Sequence, residues 1–122
     1  MKTAFTFLRL NAITRLDRHL MISRVKVAIS ECGSSLDFHL FSNRSICLNF
    51  ELPVGKIDKL HDLLKAAGLR LNEETERLLT NCRQGLEQLD WKAKASEITG
   101  TLEITFIHDE PDLRIEVPPI PG

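Results

Sequence analysis

The sequence has no tyrosine, one tryptophan and six phenylalanines in 122 residues. So few flat rings leave little for a platform that stacks nucleic-acid bases. Cysteine is scarce and odd in number: Cys32, Cys47 and Cys82, with no CxxC pair. That argues against a disulfide framework, and a chain of this length can build a core without one. Reduced thiols in a cytoplasm are the expectation. No apolar run approaches the length that spans a bilayer. The apolar stretch at residues 4–8 is stopped by Arg9, too early for a secretion signal. Also missing are a phosphate loop, a dinucleotide glycine fingerprint, HExxH and a nucleophile elbow. No cofactor is expected.

Neither sign of charge dominates, since the formal net charge is −1. A strongly basic nucleic-acid binder is therefore disfavoured. The balance is uneven along the chain. Residues 1–30 carry Lys2, Arg9, Arg15, Arg18, Arg24 and Lys26 against Asp17 alone, whereas residues 97–122 are strongly acidic around Arg114. A basic head and an acidic tail can pair within a chain or across a dimer, or stand as two solvated surfaces.

What is present is ordinary globular composition, 43% hydrophobic and 27% charged, which fits one folded domain over residues 1–122. Residues 3–10 are short and apolar-aromatic, as in a strand. Thr14 and Asp17 fit a capping box. Met21, Val25, Ala28 and Cys32 then make a helical stripe that ends at Gly33, so a helix is expected over 15–32. Leu36, Phe38 and Leu40, then Ile46, Leu48, Phe50 and Leu52, alternate as two strands of a hairpin. A loop centred on Asn43 sets Phe38 opposite Leu48 and Leu40 opposite Ile46, giving one wholly apolar face. A helix follows at 56–67, with Ile57, Leu60, Leu63, Leu64 and Ala67 on one side and Gly68 as its stop. Residues 69–71 are a short strand at best.

Asn72 caps a third helix whose first turn holds Glu73, Glu74 and Glu76, where the helix dipole favours acids. Leu78, Cys82, Leu86 and Leu89 form its expected buried stripe. After Asp90 the period drops to two. Strands are expected at 92–98 and 101–108, joined by a tight turn at Thr99-Gly100. A last strand carries Leu113, Ile115 and Val117, ahead of an extended proline-rich end. The reading is α+β: a ferredoxin-like βαββαβ unit with an added helix and a C-terminal antiparallel β-hairpin. A single larger antiparallel sheet that takes in the C-terminal strands is the second choice.

The hairpin register gathers chemistry on the face away from the helices. If Phe38 opposes Leu48, then His39 opposes Cys47 and Asp37 opposes Asn49. Opposed residues have Cβ atoms about 5 Å apart. A thiol, an imidazole and a carboxylate would then share one surface, as thiol catalysis needs, and the same groups are possible metal ligands. Alternating polar residues are also what any solvated sheet face carries. Asp37, His39, Cys47 and Asn49 are therefore taken as a candidate ligand-binding face, with no catalytic or metal residue assigned. His108-Asp109-Glu110-Pro111-Asp112 clusters oxygen ligands but matches no calcium loop. Arg15, Arg18, His19, Arg24 and Lys26 offer a weak phosphate-binding alternative. His61, between Asp58 and Asp62, reads as solvent-facing.

The functional expectation is a small cytoplasmic, non-enzymatic binding or regulatory module that acts as a homodimer. Its small-molecule or protein partner is left open, with no membrane and no nucleic acid. The alternatives are a thiol enzyme or metal-binding protein built on Cys47, His39 and Asp37, and a weak nucleic-acid binder through residues 15–26.

Overall fold

The computed structural model describes residues 7–42 and 44–107. Their elements are, in order, β1 (Phe7–Thr14), α1 (Arg18–Cys32), β2 (Ser34–Ser42), β3 (Ser45–Pro53), a 3₁₀ turn (Val54–Lys56), α2 (Ile57–Ala66), β4 (Arg70–Leu71), α3 (Glu73–Leu86), α4 (Trp91–Ala95) and β5 (Glu97–Phe106). The architecture is α+β with one mixed sheet in the order β2-β3-β5-β1-β4.

That order corrects the ferredoxin-like expectation, which requires β3 beside β1. Here β5 stands between them, antiparallel to β3 and parallel to β1. The reason lies in its alternation. Ile98, Gly100, Leu102, Ile104 and Phe106 are all buried and the residues between them are not. A strand with one wholly apolar face can occupy the centre of a sheet, where both edges find partners.

The expected turn at Thr99-Gly100 does not form. Gly100 lies inside β5, paired with Phe50 on one side and Leu8 on the other. A Cβ there would lie 2.6 Å from Phe50 Cζ and 2.8 Å from the Leu8 carbonyl oxygen. The glycine serves close packing within the sheet rather than a reversal of the chain. The expected strand at 92–98 is also corrected. Asp90 accepts from the Ala93 amide and starts the short helix α4 instead. Because β5 has neighbours on both sides, it is not the outer strand of a terminal hairpin. The expected last strand, the acidic turn from His108 and the proline-rich end lie outside the described residues.

The hairpin register is as the apolar pattern requires: Phe38 pairs with Leu48, His39 with Cys47, Leu40 with Ile46 and Asp37 with Asn49. Irregularities between Ser35 and Asp37 and between Leu40 and Ser42 bend β2 along its outer edge.

Helix boundaries follow from side chains that bond free amides. Asp17, not Thr14, caps α1 by accepting from the Leu20 amide at 3.0 Å, so the helix starts later than expected. Asn72 caps α3 as expected, accepting from the Thr75 amide at 2.8 Å. Gly33 is extended rather than left-handed (φ −167°). It is required because a Cβ would collide with the Glu51 carbonyl and Leu52, where β2 turns in beside β3. Gly68 does take the left-handed region (φ +108°) that ends α2.

The helices leave one continuous core. Leu8, Leu10 and Ala12 of β1, Ile46, Leu48, Phe50 and Leu52 of β3, and the inward residues of β5 meet Met21, Val25 and Ile29 of α1 and Ile57, Leu60 and Leu64 of α2. Leu79, Cys82 and Leu86 of α3 complete it. Among the described residues, two residues of β4 pair with the far side of β1. The start of α3 adds one further bond there, as the Asn11 amide donates to the Thr75 hydroxyl at 2.9 Å.

Candidate functional site

The outward residues of the same strands form the candidate face. Two rows cross it. One runs His39, Cys47, Glu103, Asn11, and the next runs Asp37, Asn49, Thr101, Arg9. None of these eight residues is buried. Strand alternation puts them there: each sits one residue away from a core position and so points the other way.

The four residues picked from the sequence are thus brought together at the β2–β3 end of the face. Asn49 Nδ2 donates to Asp37 Oδ1 at 2.6 Å. His39 Nε2 lies 3.6 Å from Asp37 Oδ2, and both side chains are more than half exposed. That separation is too long for a hydrogen bond, and an ion pair this exposed contributes little. Among the described residues, no hydrogen bond joins His39 to Cys47. Burial pushes the Cys47 thiol up, and the negative charges of Glu103 and Asp37 push it further in the same direction. A thiol nucleophile needs the opposite, a positive neighbour that favours the thiolate. The trio therefore lacks the electrostatics of thiol catalysis. Metal binding lacks the geometry, because no three His, Cys, Asp or Glu side chains among the described residues are placed to hold an ion.

What the face does offer is mixed hydrogen bonding and separated charge. Asp37 on β2, Glu51 on β3 and Glu103 on β5 are acidic, whereas Arg9 on β1 is basic and lies 5.6 Å from the centre of the exposed Phe7 ring. Ser45 donates to Glu103 Oε2 at 3.3 Å, which steadies that carboxylate without neutralising it.

One cation of the basic helix is spent on the fold. Arg24 donates to the Ala67 carbonyl at 3.1 Å, closing the C-terminal end of α2 where a cation is favoured. Arg15, Arg18 and Lys26 also have partners. A free row of cations aimed at phosphates is not what these residues form.

One polar cluster escaped the sequence reading. His61 is buried, not solvent-facing, because α3 packs across α2. Its Nδ1 lies 3.2 Å from Arg83 Nη1, a donor, so Nε2 carries the hydrogen that Glu76 accepts at 2.9 Å. Arg83 also donates to Asp62 at 2.8 Å, and Lys65 lies 3.4 Å from Glu76. Burial raises the Glu76 carboxyl, but the hydrogen bond from His61 and the charge of Lys65 outweigh it and hold the group below its usual range. Both ring nitrogens are used, so the imidazole joins two helices and has no free site for proton transfer. A signal was present: Ile57, Leu60, His61 and Leu64 share the i, i+3, i+4, i+7 spacing of a buried stripe.

No helix among the described residues is long and apolar enough to cross a membrane. No protein-family model matches the chain, and neither a curated protein nor a solved structure is similar to it.

Proposed function

We propose that this chain is a non-enzymatic binding module of the cytoplasm whose open sheet face pairs with the same face of a second copy. The observation that carries the reading is the one-sided covering of the sheet among the described residues, with helices on one face and an ordered polar array on the other. A two-fold interface must be self-complementary. Here acids lie on β2, β3 and β5 and a base lies on β1, so a two-fold axis through the face sets Arg9 of each copy toward the acids of the other. Four long strands at about 4.8 Å spacing and eight residues at about 3.3 Å each project to roughly 500 Å². That is less than the roughly 800 Å² per partner of a standard interface, so the expected dimer is weak and reversible. Pairing through the outer edge of β2 is disfavoured by its two irregularities, which are a common defence of open edges. Cys32, Cys47 and Cys82 are all free, in keeping with a reducing compartment.

Light scattering on a sizing column at two concentrations tests this. The expected mass rises from 13.9 kDa toward twice that value as concentration rises. Arg9→Glu, which places like charges across the two-fold, is expected to hold the protein as a monomer. A monomer at both concentrations, or a dimer indifferent to Arg9→Glu, overturns the reading.

A further inference from the structure

Where β1 ends beside β4, the surface opens into a cavity of about 290 Å³. This is the low end of the size range of small-molecule sites. Its apolar walls come from three elements: Ile13 of β1, Leu16 of the turn into α1, and Ile107 just past β5. Arg15 and Arg70 line it as well.

The walls are held by hydrogen bonds that leave few other donors for a ligand. The Thr14 hydroxyl accepts from the Leu16 amide at 3.1 Å and donates to the Gly68 carbonyl at 3.3 Å. The Ile107 amide donates to the Thr14 carbonyl at 2.9 Å. Gly68 keeps the floor open, since a Cβ at its left-handed backbone would lie 2.6 Å from Leu16 Cδ1. Arg15 already has a partner. Arg70 forms no ion pair with a described residue, so its planar fork of donors is available.

We infer that this cavity binds a small aliphatic monocarboxylate, with the carboxylate on Arg70 and the chain against Ile13, Leu16 and Ile107. A guanidinium matches a carboxylate through two parallel hydrogen bonds. Three aliphatic walls favour an apolar body over a bare inorganic anion. The inference does not rest on the dimer proposed above, although Ile13 shares the outward face of β1 with Arg9 and Asn11.

Amide NMR spectra of the full chain, titrated with hexanoate, hexanamide and inorganic phosphate, test the assignment. Hexanoate is expected to shift the amides of Ile13, Leu16, Gly68, Arg70 and Ile107 in a saturable way. Hexanamide, equal in shape but uncharged, is expected to bind roughly tenfold more weakly, the scale of a lost charge-assisted hydrogen bond. Arg70→Gln is expected to cause the same loss toward hexanoate, and Arg70→Lys a smaller one. Arg70 is exposed on a two-residue edge strand, and the unligated spectra of both variants report whether they fold. The inference is overturned if millimolar hexanoate shifts nothing, if the shifts map elsewhere, or if hexanamide or phosphate binds as well as hexanoate.

Discussion

The two faces of the sheet are made by the same strands, residue by alternate residue, and yet they obey different rules. On the helix side, Leu48, Leu102, Leu10 and Ile46 are fully buried and fixed by shape. On the other side, Asn49, Cys47, Thr101 and Arg9 keep contact with water, and Asn49 and Arg9 are held by exposed contacts with Asp37 and Phe7 rather than by packing. Stability is thus concentrated on one face, which leaves the second free to vary its chemistry without unfolding the chain. The contrast also separates two histidines. His61 lies between helices with both nitrogens bonded, while His39 stands more than half exposed beside a carboxylate it does not reach.

The sharpest way to break the comparison is a pair of adjacent substitutions in β3. Leu48→Ala opens a cavity under the sheet and is expected to cost about 3 kcal/mol, a large share of a domain's roughly 5–15 kcal/mol. Asn49→Ala, one residue away, is expected to fall within about 0.5 kcal/mol, the range of surface changes. Urea denaturation at equilibrium measures both. Similar losses at the two positions would mean that the polar face is also a packed one, and the open-face reading would fail with it.

The histidines give the next largest contrast. His61→Ala leaves Glu76 and Arg83 without their shared partner between α2 and α3, for an expected loss of about 2 kcal/mol. His39→Ala is expected to change stability by less than about 0.5 kcal/mol. The Glu76 carboxyl is held below its ordinary value, so its ionised form is favoured by folding. Its stabilising contribution is full above the unfolded carboxyl range and is lost as pH falls through the lowered folded value. Glu76→Gln is therefore expected to flatten the acid limb of a stability profile and to leave the limb above neutral pH unchanged. An acid limb identical to that of the parent protein would remove Glu76 from the account.

Much of this was legible in the residues, and what was not has physical causes. The hairpin register followed from a single requirement, that Phe38, Leu40, Ile46 and Leu48 share a face. The caps at Asn72 and Gly68 followed from backbone chemistry that acts within a few residues. The sheet order did not. Whether β5 lies at an edge or between β3 and β1 depends on contacts made across the whole chain, which no local pattern encodes. Gly100 misled because a glycine beside a threonine serves a turn as well as it serves a close strand crossing, and only the Phe50 ring decides between them. Residues 92–98 misled because the five residues of α4 are too few to separate a helical from an extended period, whereas Asp90 as an N-cap was the better guide. For the candidate face, position was readable from alternation, but the sign of the Cys47 environment was not. That sign comes first from burial and then from the charges of Glu103, far away in sequence on the next strand, and of Asp37.

Cys47 therefore provides the smallest effect and the most specific one. Burial first, and then the charges of Glu103 and Asp37, raise its thiol above the ordinary value, so little thiolate exists at neutral pH. Its alkylation rate, followed by mass spectrometry of the Cys47 peptide, is expected to lag behind a free thiol and to rise only at higher pH. Glu103→Gln removes one of the two charges and is expected to move the midpoint of that profile downward, with no measurable change in stability. Desolvation remains in the variant, so the midpoint stays above that of a free thiol. A Cys47 that reacts faster than a free thiol at pH 6 would instead reveal an activated thiolate. The open face would then have to be read as a reactive centre, and the contrast between a structural face and a binding face would have to be redrawn around His39 and Asp37.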